Sequence, residues 1–142
     1  MDFIEEFKSS YERILGSSVG FKSDTAEPFF DYFYQCFLAS SPEVANAFRN
    51  TNMGAQKQML KRSLIYSVGF LASKESYAHM EKMARKHSRH NLNIPAPLYE
   101  LWLDCMLAAV AKFDPKYDDD VELAWRLALA PAITYMKFMY DR

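Results

Sequence analysis

Apolar side chains recur every third or fourth position along nearly the whole chain, the spacing that lays a stripe along one side of an α-helix. Phe3, Phe7, Tyr11, Ile14 and Leu15 make the first such stripe, and no segment shows the two-residue alternation of a half-buried strand. With four Gly and six Pro, the chain is also poor in the residues that a turn-dense all-β fold needs. Its 142 residues, half of them hydrophobic and 15% aromatic, can bury a substantial core in one unit. The expectation is a single all-α domain over residues 1–142.

Start and stop signals divide the chain into six substantial helices and one short one. Gly16 to Gly20 ends the first, and Ser23 or Asp24 can cap the next, with Pro28 in its first turn and an aromatic run of Phe29, Phe30, Phe33, Tyr34 and Phe37 behind it. Ser41-Pro42-Glu43 starts a short helix that ends near Phe48. Leu60, Leu64, Val68 and Leu71 set a helical period from about Met53 to Ala72, and Tyr77, Met80 and Met83 lead into the basic end Arg85 to His90. Pro95 and Pro97 mark the next start, before a stripe of Leu98, Trp102, Cys105, Met106, Ala109 and Phe113. Asp118, Asp119 and Asp120 open the last helix, which carries Val121, Trp125, Ala128, Ala132, Met136 and Met139 and has Pro131 inside it. No heptad pattern is sustained, so globular packing at steep crossing angles is expected rather than an up-down bundle.

Charge and motif content exclude several function classes. Seventeen Lys and Arg against 18 Asp and Glu leave a net charge of −1, without the basic excess of a nucleic-acid binder or a polybasic membrane anchor. The acidic, amphipathic start is unlike a secretory signal, and no run approaches the ~20 apolar residues of a membrane span. Cys36 and Cys105 each sit in an apolar helical pattern and read as two buried structural thiols, so a cytoplasmic, reducing location is expected. Phosphate-cradling glycine loops, nucleophile signatures and paired Cys-x-x-Cys motifs are all missing. His87 and His90 could share a helix face, yet zinc takes three or four ligands and no cysteine lies near. The basic cluster around them also suits the exposed carbonyls of a helix end.

Several residues fall in a recognisable order: Tyr34 within Phe33 to Pro42, then Phe48, then Gln56 and Leu60 within Gly54 to Leu60, then Met83-Ala84-Arg85-Lys86-His87, and last Ala124-Trp125. In this order and spacing the chain resembles the globin family over nearly its whole length, and it is most similar to bacterial single-domain globins and the globin portion of flavohaemoglobins. That resemblance implies a globin fold of six to eight helices around a haem pocket, with haem b (iron protoporphyrin IX) as cofactor. It places His87 as the proximal iron ligand, Tyr34 and Gln56 as distal ligand-binding residues, Phe48 against the haem and Leu60 at the pocket ceiling. His90, one turn on, is the competing iron ligand, whereas His79 lies eight residues before His87, about 12 Å along a helix, and cannot reach the same iron.

The chemistry suits those roles. A neutral imidazole can ligate haem iron and leave the opposite position open, and its second nitrogen should donate to a carbonyl in the preceding helical turn. Gln56 and Leu60, four apart, project from one side of their helix, and a Tyr hydroxyl or Gln amide can donate to a polarised diatomic. Met83, Leu92, Ile94, Tyr99 and Leu103 are apolar wall candidates, and Lys57 or Arg89 can pair with a haem propionate. The expected function is reversible binding of O2, with NO or CO as other ligands. The alternatives are NO dioxygenation or a peroxidase-like activity fed by a separate reductase, and a haem-based sensor or interaction module. No nucleic-acid or membrane partner is expected.

Overall fold

A computed structural model of the chain describes residues 1–16 and 26–142. The regular structure among them is entirely helical: α1 (Phe3–Leu15), α2 (Ala26–Ser40), α3 (Pro42–Ala47), α4 (Met53–Val68), α5 (Lys74–His87), α6 (Ala96–Phe113), α7 (Asp119–Phe138) and a closing 3₁₀ turn (Met139–Asp141). This is the expected pattern of six substantial helices and one short one. Among the described residues no helix is long and apolar enough to cross a membrane.

Short polar side chains begin most of these helices by accepting from backbone N–H groups that have no partner within the helix. Asp2 accepts from Ile4 at 3.0 Å, Ser41 from Glu43 at 3.1 Å, Asn52 from Ala55 at 3.1 Å, Ser73 from Ser76 at 3.0 Å and Asp118 from Val121 at 2.9 Å. Gly16 closes α1 with φ at 80°, a left-handed conformation that favours glycine. The capping role expected for Ser23 or Asp24 lies outside the described residues.

The helix expected to reach Ala72 stops at Val68. Gly69 caps it, and the chain turns back so tightly that a Cβ on Gly69 would come within 2.7 Å of Ser76 Oγ. Apolar periodicity continues through Phe70 and Leu71, but the turn buries Phe70 and leaves Leu71 exposed.

The chain divides into two compact units, Met1–Asn50 with Leu101–Leu127, and Thr51–Glu100 with Ala128–Arg142. In the first, the aromatic run of α2 forms much of the core: Phe29, Phe30 and Phe33 are fully buried. Phe33 meets Trp102 edge-on at 5.8 Å and Phe29 meets Phe113 at 6.0 Å. Such ring pairs add about 0.5–1.5 kcal/mol each beyond the area they bury. In the second unit, Phe70, Met80, Ala84, Tyr99, Ala132 and Met136 make a buried cluster, with Met83 and Ile94 packed at its edge.

The cysteines depart from expectation. Cys36 on α2 and Cys105 on α6, 69 residues apart in sequence, are joined as a disulfide with Cα atoms 5.6 Å apart. The two helical stripes face each other, and that places both sulfurs at one contact. The reading as separate thiols is therefore corrected, and one support for a reducing compartment goes with it.

A polar knot ties the first unit together. The fully buried Asp114 side chain accepts from Arg13 Nε at 2.6 Å, Arg13 Nη2 at 2.8 Å, Ser10 Oγ at 2.6 Å and the Lys116 N–H at 2.9 Å. Ser10 Oγ in turn accepts from the Trp125 indole N–H at 2.8 Å, so α1, α7 and the end of α6 share one chain of bonds. Burial alone would push the Asp114 carboxyl up, but the donors from Arg13, Ser10 and Lys116 together hold it below its ordinary value. Arg13→Ala strands a buried carboxylate and should cost about 3 kcal/mol in urea unfolding. Because the folded pKa is depressed, the stability Asp114 contributes is complete above its unfolded pKa of about 3.9 and is lost as pH falls through the folded value. Unfolding curves of Asp114→Asn from pH 6 to pH 2 should lack this component. An unchanged acid profile would show that the knot does not titrate.

Candidate functional site

α5 ends on Arg85, Lys86 and His87, and its last turn holds the His87 ring in place. His87 Nδ1 lies 2.7 Å from the Met83 carbonyl oxygen, one turn earlier. A carbonyl only accepts, so the proton resides on Nδ1, and Nε2 keeps the lone pair that a metal would take. Burial pushes the imidazole pKa down, the Met83 bond works against that, and Lys86 adds to the downward shift. The net shift is downward, which favours the neutral, ligating form.

The chain beyond His87 is wound into a turn that sequence periodicity does not signal. The His87 carbonyl accepts from the Ile94 N–H at 3.0 Å and the Lys86 carbonyl from Leu92 at 3.0 Å. The Ser88 carbonyl accepts from Asn91 at 3.0 Å and Asn93 at 2.9 Å. The Asn91 amide reaches the Arg85 carbonyl at 2.8 Å. Asn93 takes φ of 57°, the left-handed region that asparagine tolerates better than most residues, and the Tyr140 hydroxyl donates to its side-chain oxygen. The Arg89 N–H donates to the Tyr140 carbonyl at 3.0 Å, so the C-terminal turn clasps the segment that follows His87. Pro95 and Pro97 signal the next helix start but not this turn, whose bonds run through Asn91 and Asn93. The partner of Asn93, Tyr140, is 47 residues away, beyond the reach of local reading.

Other expected wall residues gather in the same unit. Met83, Ile94 and Tyr99 belong to or border the cluster of Met80 and Ala84. The Tyr99 hydroxyl is buried and makes no hydrogen bond, and burial pushes its pKa far above the ordinary value. Leu92 is 53% exposed, so most of its surface meets solvent. On α4, Leu60 is buried and Gln56 and Lys57 are half-buried, while Ala55, Gln58 and Met59 face out. Gln56, Lys57 and Leu60 thus share the less exposed side of their helix.

The first unit holds the remaining expected residues. Tyr34 on α2 is 4% exposed, with its ring 4.9 Å from Phe33 and 6.0 Å from Phe48. Phe48 also lies 6.0 Å from Phe37, and Leu103 is half-buried on α6. Of the other histidines, His90 is exposed beyond the end of α5, and His79 is stacked on Tyr66 with ring centroids 4.1 Å apart.

Among the described residues, no group of three or more His, Cys, Asp or Glu side chains could hold a metal ion. A metal on His87 would need most of its ligands from a chelating group. An oriented neutral imidazole beside an apolar cluster, with an orphaned tyrosine hydroxyl inside that cluster, fits a porphyrin as that group.

No protein-family model matches the chain, and no curated protein matches it significantly. Among solved structures, the chain is similar to protein PA3967 from Pseudomonas aeruginosa PAO1, described as structurally highly homologous to a human haemoglobin. The two share 33% sequence identity, with 99% of this chain and 100% of that one covered at a TM-score of 0.85. Such identity over the full length, on an all-helical framework, shows that the chain belongs to the globin family.

Proposed function

We propose that the protein binds haem b through His87 and reversibly takes up O2, with NO and CO as further ligands. The observation that carries this reading is the bond from His87 Nδ1 to the Met83 carbonyl, which fixes the tautomer and ring orientation and leaves Nε2 as the donor atom. His87 would hold the haem, and the bound group would supply an iron atom able to take up a diatomic gas reversibly.

The chain's own residues have separable tasks. His87 binds, and the turn from Ser88 to Ile94 holds the end of its helix. Met83, Ile94 and Tyr99 provide apolar surface for the macrocycle, and Lys57 carries a cation suited to a propionate. Leu60 excludes water from the gas, while the Gln56 amide and the Tyr34 hydroxyl are its hydrogen-bond donors. The tasks of Tyr34, Phe48 and Leu103 rest on the globin pattern. O2 or another diatomic gas is the small-molecule partner, and re-reduction of oxidised haem would fall to a separate reductase.

Two outcomes test the reading. In protein reconstituted with haemin, His87→Gly should shift the Soret band and weaken haem retention at least tenfold, and added imidazole should restore the spectrum. A spectrum that is unchanged without imidazole would dismiss His87 as ligand. Tyr34→Phe and Gln56→Leu should each remove a hydrogen bond of roughly 1–1.5 kcal/mol, and so speed O2 dissociation by about tenfold in stopped flow while changing CO dissociation less. Equal effects on both gases, or none, would remove these side chains from the gas site.

A further inference from the structure

The chain has two cysteines, and they are bonded to each other between α2 and α6. Cys36 stands two residues beyond Tyr34, so the bond anchors the very turn of α2 that carries the tyrosine read above as a donor to the gas. The two bonded residues differ in access. Cys105 is 3% exposed, whereas Cys36 is only partly buried, so an incoming thiolate meets Cys36 first.

The packing of α2 on α6 does not depend on the bond. One turn before the two cysteines, Phe33 and Trp102 meet edge-on at 5.8 Å. Phe29 and Tyr32 each place a ring 6.0 Å from Phe113, and the Lys112 ammonium lies 5.1 Å from the centre of the Tyr32 ring. These contacts keep the helices together when the S–S bond is open, and Cys105 is then a small hydrophobe in a buried site. What the bond adds is a fixed span, with Cα atoms 5.6 Å apart, that stops α2 from sliding or rotating on α6. A link of this kind can open and close without unfolding the chain, and its state is felt by the helix that bears Tyr34.

We propose that Cys36–Cys105 is a reversible two-electron switch: its reduction loosens α2 and, through Tyr34, weakens the retention of O2. The reductant is a dithiol. One of its thiolates attacks Cys36 Sγ to form a mixed disulfide, and Cys105 leaves as a thiolate that takes up a proton. The second thiol of the reductant then displaces Cys36 Sγ, which is protonated in turn, and the reductant departs as a cyclic disulfide. Two electrons and two protons pass to the protein, and an oxidised dithiol reverses the sequence. The effect on O2 rests on the haem reading; the opening of the bond does not.

Dithiothreitol at pH 8, without denaturant, should expose two thiols to alkylation, counted by mass spectrometry, and its oxidised form should close the bond again. Amide hydrogen exchange of the intact protein should then speed about tenfold in α2, Ala26–Ser40, and change less than about twofold in α5. In haem-loaded protein, reduction or the double change Cys36→Ala and Cys105→Ala should speed O2 dissociation about threefold, part of the hydrogen bond's full effect. Tyr34→Phe should erase the difference between oxidised and reduced forms. A bond that opens only in urea, or exchange that rises equally in every helix, marks a structural staple and overturns the proposal. O2 release that responds to Tyr34→Phe but not to reduction also overturns it and leaves the gas-site reading standing. Release that responds to neither overturns both readings, and a redox effect that persists in Tyr34→Phe overturns the route through Tyr34.

Discussion

One hydrogen bond orders the chemistry of this molecule: His87 Nδ1 donating to the Met83 carbonyl at 2.7 Å. An unconstrained histidine can present either nitrogen in many orientations, and a metal would then have to pay for ordering it. Here the helix supplies the acceptor itself, the Met83 carbonyl one turn before His87. The tautomer, the ring angle and the free lone pair all follow from that one contact. Burial adds to the effect by disfavouring the imidazolium.

The surroundings protect that contact at some distance from it. Backbone bonds from Leu92 and Ile94 return to Lys86 and His87, so the end of α5 cannot fray without opening the turn beyond it. Tyr140 secures Asn93 in its left-handed conformation, which links the C-terminal turn to the same segment. In the other unit, the buried Asp114 plays a comparable organising part by engaging Ser10 and Arg13, with Trp125 joined through Ser10. Both devices place a polar group where it can be fully bonded, and so turn a desolvation cost into positional definition.

What the sequence disclosed follows from how local each signal is. Two helix starts were legible because Ser41 and Asp118 act on N–H groups two or three residues ahead, whereas the caps Asn52 and Ser73 emerge only in the folded chain. The all-α class followed from stripe spacing, and the position of His87 relative to Met83 followed from helical geometry once the globin order was noticed. Contacts between distant segments were hidden. The Cys36–Cys105 bond, the Ser10–Asp114 bond and the Tyr140–Asn93 latch span 69, 104 and 47 residues, and nothing in a linear pattern selects those partners. The early stop of α4 was missed for a related reason. Apolar residues continue past Val68, but the decisive fact is the approach of Ser76 to Gly69, which exists only in the folded hairpin.

The most direct test of the proposed haem ligation uses the chain's small histidine inventory. With His79 and His90 both replaced by Gln, His87 is the one imidazole left among the three in the sequence. Resonance Raman spectra of this variant, loaded with haem and reduced, should show an iron–imidazole stretching band that shifts when the histidine is labelled with 15N. A spectrum without that band, or with a band that the label does not move, would contradict ligation by His87.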